Sequence, residues 1–156
     1  MNEYRLHIIA LLMLLVVGCN PQPEAKKILR DAQLIVDEQP DIAKTLIDSI
    51  FYPERSLGRR QYMEFLVAQV QVKHKTYRSV AGDTLIFKAI QYLENKNTDT
   101  RKTASAYFYG GCVYRERQEY EDAMSYYKKA EQYASKAKDY KLKGLVLYNI
   151  GGLLTG

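Results

Sequence analysis

The spacing of apolar residues along the chain predicts an all-α protein. After Glu24, apolar residues recur every three or four positions almost throughout, and no segment alternates apolar and polar residues over a sustained stretch. Prolines, glycines and acidic capping residues divide this pattern into about seven helices joined mostly by short turns. Short connections of this kind favour antiparallel helical hairpins.

The breaks in the pattern give approximate bounds for each helix. Asp41, Ser56, Asp83 and either Thr98 or Asp99 are the candidate N-caps, because Ser, Thr and Asp side chains accept hydrogen bonds from the free amides of a first turn. The expected helices are residues 25–36, 41–50, about 57–73, 84–93, 99–118, 120–136 and 139–156.

The N-terminal segment has the features of an export signal. Ile8–Val17 is an apolar run of ten residues, too short for a membrane-spanning helix, which needs roughly 20, but typical of a signal-peptide core. The run ends in Val16-Val17-Gly18-Cys19, which resembles the lipobox of bacterial lipoproteins. The resemblance implies cleavage after residue 18, acylation of Cys19 and a tether over residues 19–23. A non-cleaved anchor with an incidental cysteine is the alternative.

The lipobox resemblance also implies a location. Stable membrane attachment needs two acyl signals or more, which a multiply acylated Cys19 would supply. No acidic cluster follows Cys19, although some lipoproteins of the Bacteroidetes type carry such a cluster for surface display. We therefore expect a lipid-anchored envelope protein, on the periplasmic face of the outer membrane.

Composition excludes several classes of function. The formal charge of +5 comes from scattered basic residues that read as solvated helix faces, so nucleic acid is not an expected partner. The segment after Cys19 holds one histidine, His74, expected at the surface of a helix end, and one cysteine, Cys112, expected as a small buried apolar residue. No metal site, cofactor loop or catalytic constellation is predicted, and we expect a protein that is not an enzyme.

Small and aromatic residues alternate at fixed intervals across the fifth and sixth helices. The series is Tyr107, Gly111, Tyr114, Tyr120, Ala123, Tyr127 and Ala130. It resembles the signature of the tetratricopeptide repeat (TPR), a helical hairpin that stacks into solenoids. In that family the small residues allow two helices to approach closely, and the aromatic residues fill the wedges between hairpins. Gly110-Gly111 and Gly151-Gly152 accordingly read as helix-packing glycines.

A partial second copy begins forty residues later. Leu147, Ile150, Gly151 and Leu154 match Tyr107, Gly110, Gly111 and Tyr114, against a usual TPR period of about 34. The expected domains are degenerate helical repeats over 24–97, a TPR over 98–137, and the first helix of a truncated further TPR over 138–156. Since a lone first helix cannot bury its apolar face, we expect either that the chain is truncated or that something outside it covers Gly151–Leu154.

The TPR resemblance places a binding groove on the first helices of the hairpins. Carried onto this chain, the lining positions are Ser105, Phe108, Tyr109, Cys112, Arg115, Glu116, Leu145, Tyr148, Asn149 and Gly152. The subset of TPR proteins that clamps a peptide carboxylate has lysine and asparagine where this chain has Phe108 and Cys112, so that mode is not expected. An amphipathic helix or an extended peptide suits the aromatic residues. Alternatively, these aromatic residues complete the core between repeats.

Three functions follow from these resemblances. The first is a membrane-tethered scaffold that binds an unidentified protein or peptide partner in the bacterial envelope. The second is the sensor portion of a membrane-associated regulator whose output domain lies downstream. The third is a glycan-binding lipoprotein of the starch-utilisation type, which is disfavoured because sugar platforms rely on tryptophan and the chain has none.

Overall fold

The structure, a computed structural model, describes Gln22 and residues 24–96 and 99–155. Within this part of the chain there are eight helices and no strand. Their bounds are α1 Ala25–Ile35, α2 Pro40–Asp48, α3 Pro53–Ser56, α4 Arg59–Lys75, α5 Ile86–Lys96, α6 Thr100–Glu116, α7 Tyr120–Lys136 and α8 Tyr140–Leu154. The predicted all-α fold is confirmed. The expected signal peptide, Cys19, most of the tether and Thr98 lie outside the described residues.

The helices pack in chain order as a stack of hairpins. α1 pairs with α2, α4 with α5, and α6 with α7, while α8 packs on α7 and touches α6. Neighbouring hairpins also contact one another, because α4 packs on both helices of the first hairpin and α6 packs on both α4 and α5. Contacts between successive units are the arrangement of helical-repeat proteins.

The expected N-cap Asp99 is confirmed, and Asp139, near which the last helix was expected to begin, is an N-cap as well. The side chains of Asp99 and Asp139 accept hydrogen bonds from the backbone amides of Lys102 and Leu142, each at 3.0 Å. Each carboxylate thereby satisfies an amide that has no partner within the helix. The bounds of α7, residues 120–136, also agree with the expectation from periodicity.

The other expected caps are wrong in detail. α2 begins at Pro40, with Gln39 as its cap and Asp41 already in the first turn, because proline suits a first helical position. Ser56 ends the one-turn helix α3, which the pattern did not predict, and α4 begins after Gly58. Asp83 lies in a turn before α5, where its carboxylate binds Lys73 at 2.6 Å.

The long connection between α4 and α5 is held in place by α6. The Glu116 carboxylate accepts hydrogen bonds from the Ser79 hydroxyl at 2.8 Å and from the backbone amides of Val80 and Ala81 at 2.8 and 3.2 Å. The Val80 side chain is fully buried. This anchoring allows an overlong connection to pack without separating the hairpins.

The α6–α7 interface depends on residues without bulk. An added Cβ at Gly111 would lie 2.5 Å from the Tyr127 ring, and one at Gly110 would lie 3.0 Å from the Tyr126 ring, and both tyrosines belong to α7. Ala123, Tyr127 and Ala130 of α7 are fully buried against this face. The close approach predicted for this hairpin is therefore present.

The tyrosines of the signature do not all fill wedges. Tyr107 is buried, and the ring of the half-buried Tyr114 packs at a tilt against Phe87 of α5 with a centroid distance of 4.6 Å. Tyr120, expected to fill a wedge as well, is 54% exposed. Tyr120 is the first residue of α7 and lies beyond Glu116, the last residue of α6. Its ring therefore has little of α6 to pack against.

Candidate functional site

Four helices from successive repeats form one groove, here called the inner groove. It comprises two adjoining cavities that share Gln71, Arg101 and Ser105, and the larger has a volume of about 490 Å³, within the usual range of binding clefts. Most of its lining comes from α1, α4, α6 and α8 and from the turns next to them, and Leu93 of α5 lines the smaller cavity. The lining residues of those four helices and turns include Gln33, Asp37, Glu64, Val67, Gln71, Lys75, Arg101, Lys102, Ser105, Tyr109, Asp139, Lys141, Leu142 and Leu145.

The lining residues follow helical spacing. On α6, Arg101, Ser105 and Tyr109 stand four residues apart, so they share one face of the helix. On α4, Gln71 and Lys75 have the same spacing. The first helix of each hairpin thus contributes one stripe of side chains to the groove, and each stripe is accessible between the neighbouring helices.

An ionic bridge crosses one end of the inner groove. The Asp37 carboxylate, in the turn after α1, binds the ammonium groups of Lys75 at 2.8 Å and Lys141 at 2.6 Å. Asp37 and Lys141 are 104 residues apart in sequence, so this contact joins the first hairpin to the last helix. Hydrogen bonds from Lys141 and then Lys75 hold the pKa of Asp37 below its ordinary value.

The remaining charges of the groove are also paired. Arg101 lies 3.4 Å from Asp139, and Lys102 lies 2.8 Å from the buried carboxylate of Glu64. The groove lining has four basic and three acidic side chains, so positive and negative charges are mixed along it. The side chains of Arg101 and Lys141 are 70% and 80% exposed, so their ion pairs are weak and can be exchanged for those of a ligand.

The structure corrects most of the predicted groove positions. Phe108, Tyr109 and Cys112 are at most 3% exposed and belong to the core, which is the alternative that the sequence left open. Phe108 packs 6.2 Å from the His74 ring of α4 and 5.8 Å from the Tyr127 ring of α7. They are buried because α4 and α7 close over α6 from two sides. Tyr109 still forms part of the groove floor, beside Ser105 and Leu145.

Two further predicted positions hold the stack together instead of facing a ligand. Arg115 of α6 donates a hydrogen bond from Nη1 to Oδ1 of Asn149 on α8 at 2.9 Å, and Nδ2 of Asn149 donates to the Leu145 carbonyl at 2.9 Å. Asn149 is buried, so this pair satisfies its polar atoms. Tyr148 is 79% exposed and does not line the inner groove.

His74 and Cys112 lie next to each other beneath the groove. His74, expected at the surface, is half-buried, and burial lowers its pKa while the nearby Glu116 opposes the shift. The Cys112 sulfur is 4.0 Å from Nε2 of His74 and accepts a hydrogen bond from the Tyr127 hydroxyl at 3.6 Å. Burial raises the pKa of Cys112 to about 12, so the thiol is protonated and unreactive.

The described residues contain no group of three or more His, Cys, Asp or Glu side chains arranged to hold a metal ion. Over the same residues, no helix combines the length and the apolar character needed to span a membrane.

The stack of hairpins and the groove along it define an all-α protein with a helical repeat-like fold. Comparisons with protein-family models, curated protein sequences and solved structures gave no match.

Proposed function

We propose that this chain is a TPR-like scaffold that binds a protein or peptide partner in the inner groove, without catalysing a reaction. The observation that carries the proposal is the composition of the groove, which combines side-chain amides, exchangeable ion pairs and apolar side chains contributed by four helices. A site built across several repeats suits an elongated ligand better than a compact one.

Each type of lining residue has a role in binding an extended segment. The amides of Gln33 and Gln71 can hydrogen-bond a peptide backbone, and Leu142 and Leu145 offer apolar contacts for its side chains. Arg101, which is largely exposed, can transfer its ion pair to a ligand carboxylate. A partner with an acidic and an apolar side chain within a few residues of each other fits this arrangement.

A photo-crosslinking residue placed in the groove tests this proposal. Ser105 faces the groove from the middle of α6, and Ser125 is exposed in the middle of α7, outside the groove lining. With a benzophenone side chain at each position in turn, we expect discrete crosslinked products in cells from position 105 but not from position 125. Equal crosslinking from both positions, or none from either, would contradict a groove ligand.

We further propose that acyl chains on Cys19 tether the scaffold to a membrane of the bacterial envelope. The support is the lipobox-like sequence before Cys19 and the apolar run that precedes it. Metabolic labelling with an alkyne fatty acid should label the wild-type chain and the Cys112→Ala variant but not Cys19→Ala. Cys112 is the matched control because it is the only other cysteine of the chain. Label retained in Cys19→Ala would refute the tether.

A further inference from the structure

A further cavity lies at one end of the hairpin formed by α4 and α5, where α4 begins and α5 ends. Its volume is about 460 Å³, within the usual range of ligand sites. It is here called the basic cavity, and its lining consists of Arg59, Met63, Lys88, Gln91, Tyr92, Asn95 and Lys96. None of these residues lines the inner groove, so the two sites are separate.

The basic cavity forms where one face of α4 meets one face of α5. Lys88, Tyr92 and Lys96 stand four residues apart on α5, so they share a face of that helix. Arg59 and Met63 have the same spacing on α4. The Met63 side chain is buried, whereas the three cationic side chains are exposed. The cavity therefore has an apolar base and cationic walls that are open to solvent.

The cations of the basic cavity have no carboxylate to pair with. Within the described part of the chain, none of Arg59, Lys88 and Lys96 lies within ion-pairing distance of an acidic side chain. α4 and α5 have one acidic residue each, and both are engaged elsewhere: Glu64 binds a lysine of α6, and Glu94 binds a lysine of α7. The lining thus has three positive charges and no negative one, unlike the inner groove, where the two signs are mixed.

The geometry of Arg59 suits an anion with several oxygen atoms. Its guanidinium lies over the ring of Tyr92, with the central carbon 5.4 Å from the ring centroid. An arginine stacked on an aromatic ring keeps the N–H groups at its edge available, and two of them match a pair of phosphate oxygens. Gln91 and Asn95 of α5 add amide N–H donors to the same cavity.

We propose that the basic cavity binds the phosphoryl group of a phosphorylated ligand. A phosphate monoester has a charge of about −1.5 to −2 near neutral pH and three acceptor oxygens, so it matches three unpaired cations better than a single carboxylate does. The cavity volume leaves space for the group that carries the phosphate. A soluble phosphate ester and the headgroup of a phospholipid offer the same chemistry, and the experiment separates these two sources.

Inorganic pyrophosphate is the probe for the phosphoryl site. We expect it to bind the purified chain saturably in isothermal titration calorimetry, and acetate to bind roughly tenfold more weakly or not at all. The cavity variant, with Arg59→Gln, Lys88→Gln and Lys96→Gln together, should lose roughly tenfold or more in affinity for pyrophosphate, because the three charges are removed. Tyr92→Leu keeps every charge but removes the ring under the guanidinium, so it should weaken binding by a smaller factor.

A charge-matched variant separates the cavity from the net charge of the protein. It carries Lys26→Gln, Arg78→Gln and Lys128→Gln, which remove one arginine and two lysines from exposed positions outside the basic cavity. We expect this variant to bind pyrophosphate as the wild type does. Circular dichroism checks the fold of both triple variants. The results are independent of crosslinking from Ser105, so this proposal and that of a groove ligand can fail separately.

Vesicles identify the source of the phosphoryl group. Cosedimentation with vesicles of phosphatidylcholine and phosphatidic acid, but not of phosphatidylcholine alone, would assign a lipid headgroup if the cavity variant loses it and the charge-matched variant retains it. Pyrophosphate binding without such cosedimentation would assign a soluble phosphate ester. All three proteins have the same N-terminus, so the difference between them does not depend on acylation of Cys19.

Four results would overturn the proposal. The first is the absence of binding to both pyrophosphate and the phosphatidic acid vesicles. The second is an equal loss in the two triple variants, which would mean that net charge alone attracts the anion. The third is acetate binding as tight as pyrophosphate binding. The fourth is an RNA oligonucleotide that binds the wild type but not the cavity variant and is not displaced by pyrophosphate, which would assign the cations to nucleic acid.

Discussion

Replacement of Gly111 by alanine tests the close approach that holds α6 and α7 together. The added methyl group would lie 2.5 and 2.6 Å from two carbon atoms of the Tyr127 ring, and Tyr127 is fully buried. The ring cannot yield without disturbing Phe108 and Cys112, which it contacts. Overpacking of this kind costs about 1–3 kcal/mol, whereas exchange of glycine for alanine within a helix gains about 1 kcal/mol. We expect a net loss of about 1 kcal/mol in the free energy of unfolding.

Urea denaturation followed by circular dichroism measures this loss, and a thermal melt should show a decrease of roughly 2–4 °C per kcal/mol for a chain of this length. Gly151→Ala is the matched control, because its methyl group meets nothing within 4 Å and should leave stability unchanged or raised. In a Tyr127→Leu background the ring is absent, so Gly111→Ala should no longer destabilise the protein. A destabilising contact between an alanine at position 111 and the Tyr127 ring is ruled out if Gly111→Ala is as stable as Gly151→Ala, or if Gly111→Ala still destabilises the Tyr127→Leu background.

Two further predictions concern the contacts around α4 and the connection that follows it. Burial lowers the pKa of His74, so the stability that the neutral imidazole allows is complete above the ordinary pKa of about 6.5 and is lost as the pH falls from there toward the folded-state pKa. Between pH 7.5 and pH 5, urea denaturation should show a larger decrease in the free energy of unfolding for the wild type than for His74→Gln. Equal decreases in the two proteins would contradict this prediction. Glu116→Ala should release the connection at residues 79–81, which should lower the free energy of unfolding by about 1 kcal/mol and speed tryptic cleavage at the exposed Arg78. Glu121→Ala, at an exposed position on α7, is the control. Unchanged cleavage in Glu116→Ala would show that the Glu116 carboxylate does not hold the connection.

Local signals in the sequence were enough to predict where most of the helices begin and end. The bounds of α7, the capping role of Asp99 and the start of α8 near Asp139 were predictable, because periodicity and capping depend on residues within a few positions of each other. The packing of Gly111 under Tyr127 was also predictable, because both residues belong to one hairpin with a recurrent spacing. The one-turn helix α3 was missed because four residues carry no periodic signal.

Of the groove positions expected on α6 and α8, Ser105, Tyr109 and Leu145 lie along the inner groove, and the others do not. Phe108 and Cys112 were expected at its surface, and the structure buries both, because α4 closes over them as well as α7. Gln71 and Lys75 of α4 line the groove and were not predicted as such. Their spacing of four residues was visible, but the weak repeat pattern of the first half did not indicate which face of α4 would be left open.

An all-α chain of hairpins, with glycines where α6 and α7 meet, could be derived from the amino-acid sequence, since these features follow from residue spacing within one or two helices. Which helix faces are covered could be seen only in the folded protein, because coverage depends on every neighbouring helix at once. The bridge from Asp37 to Lys141 and the pair of glycines at positions 111 and 151 illustrate this. The two charges lie 104 residues apart, and no local pattern relates them. The two glycines look equivalent in sequence, but within the described part of the chain only Gly111 of this pair has a side chain from another helix against it.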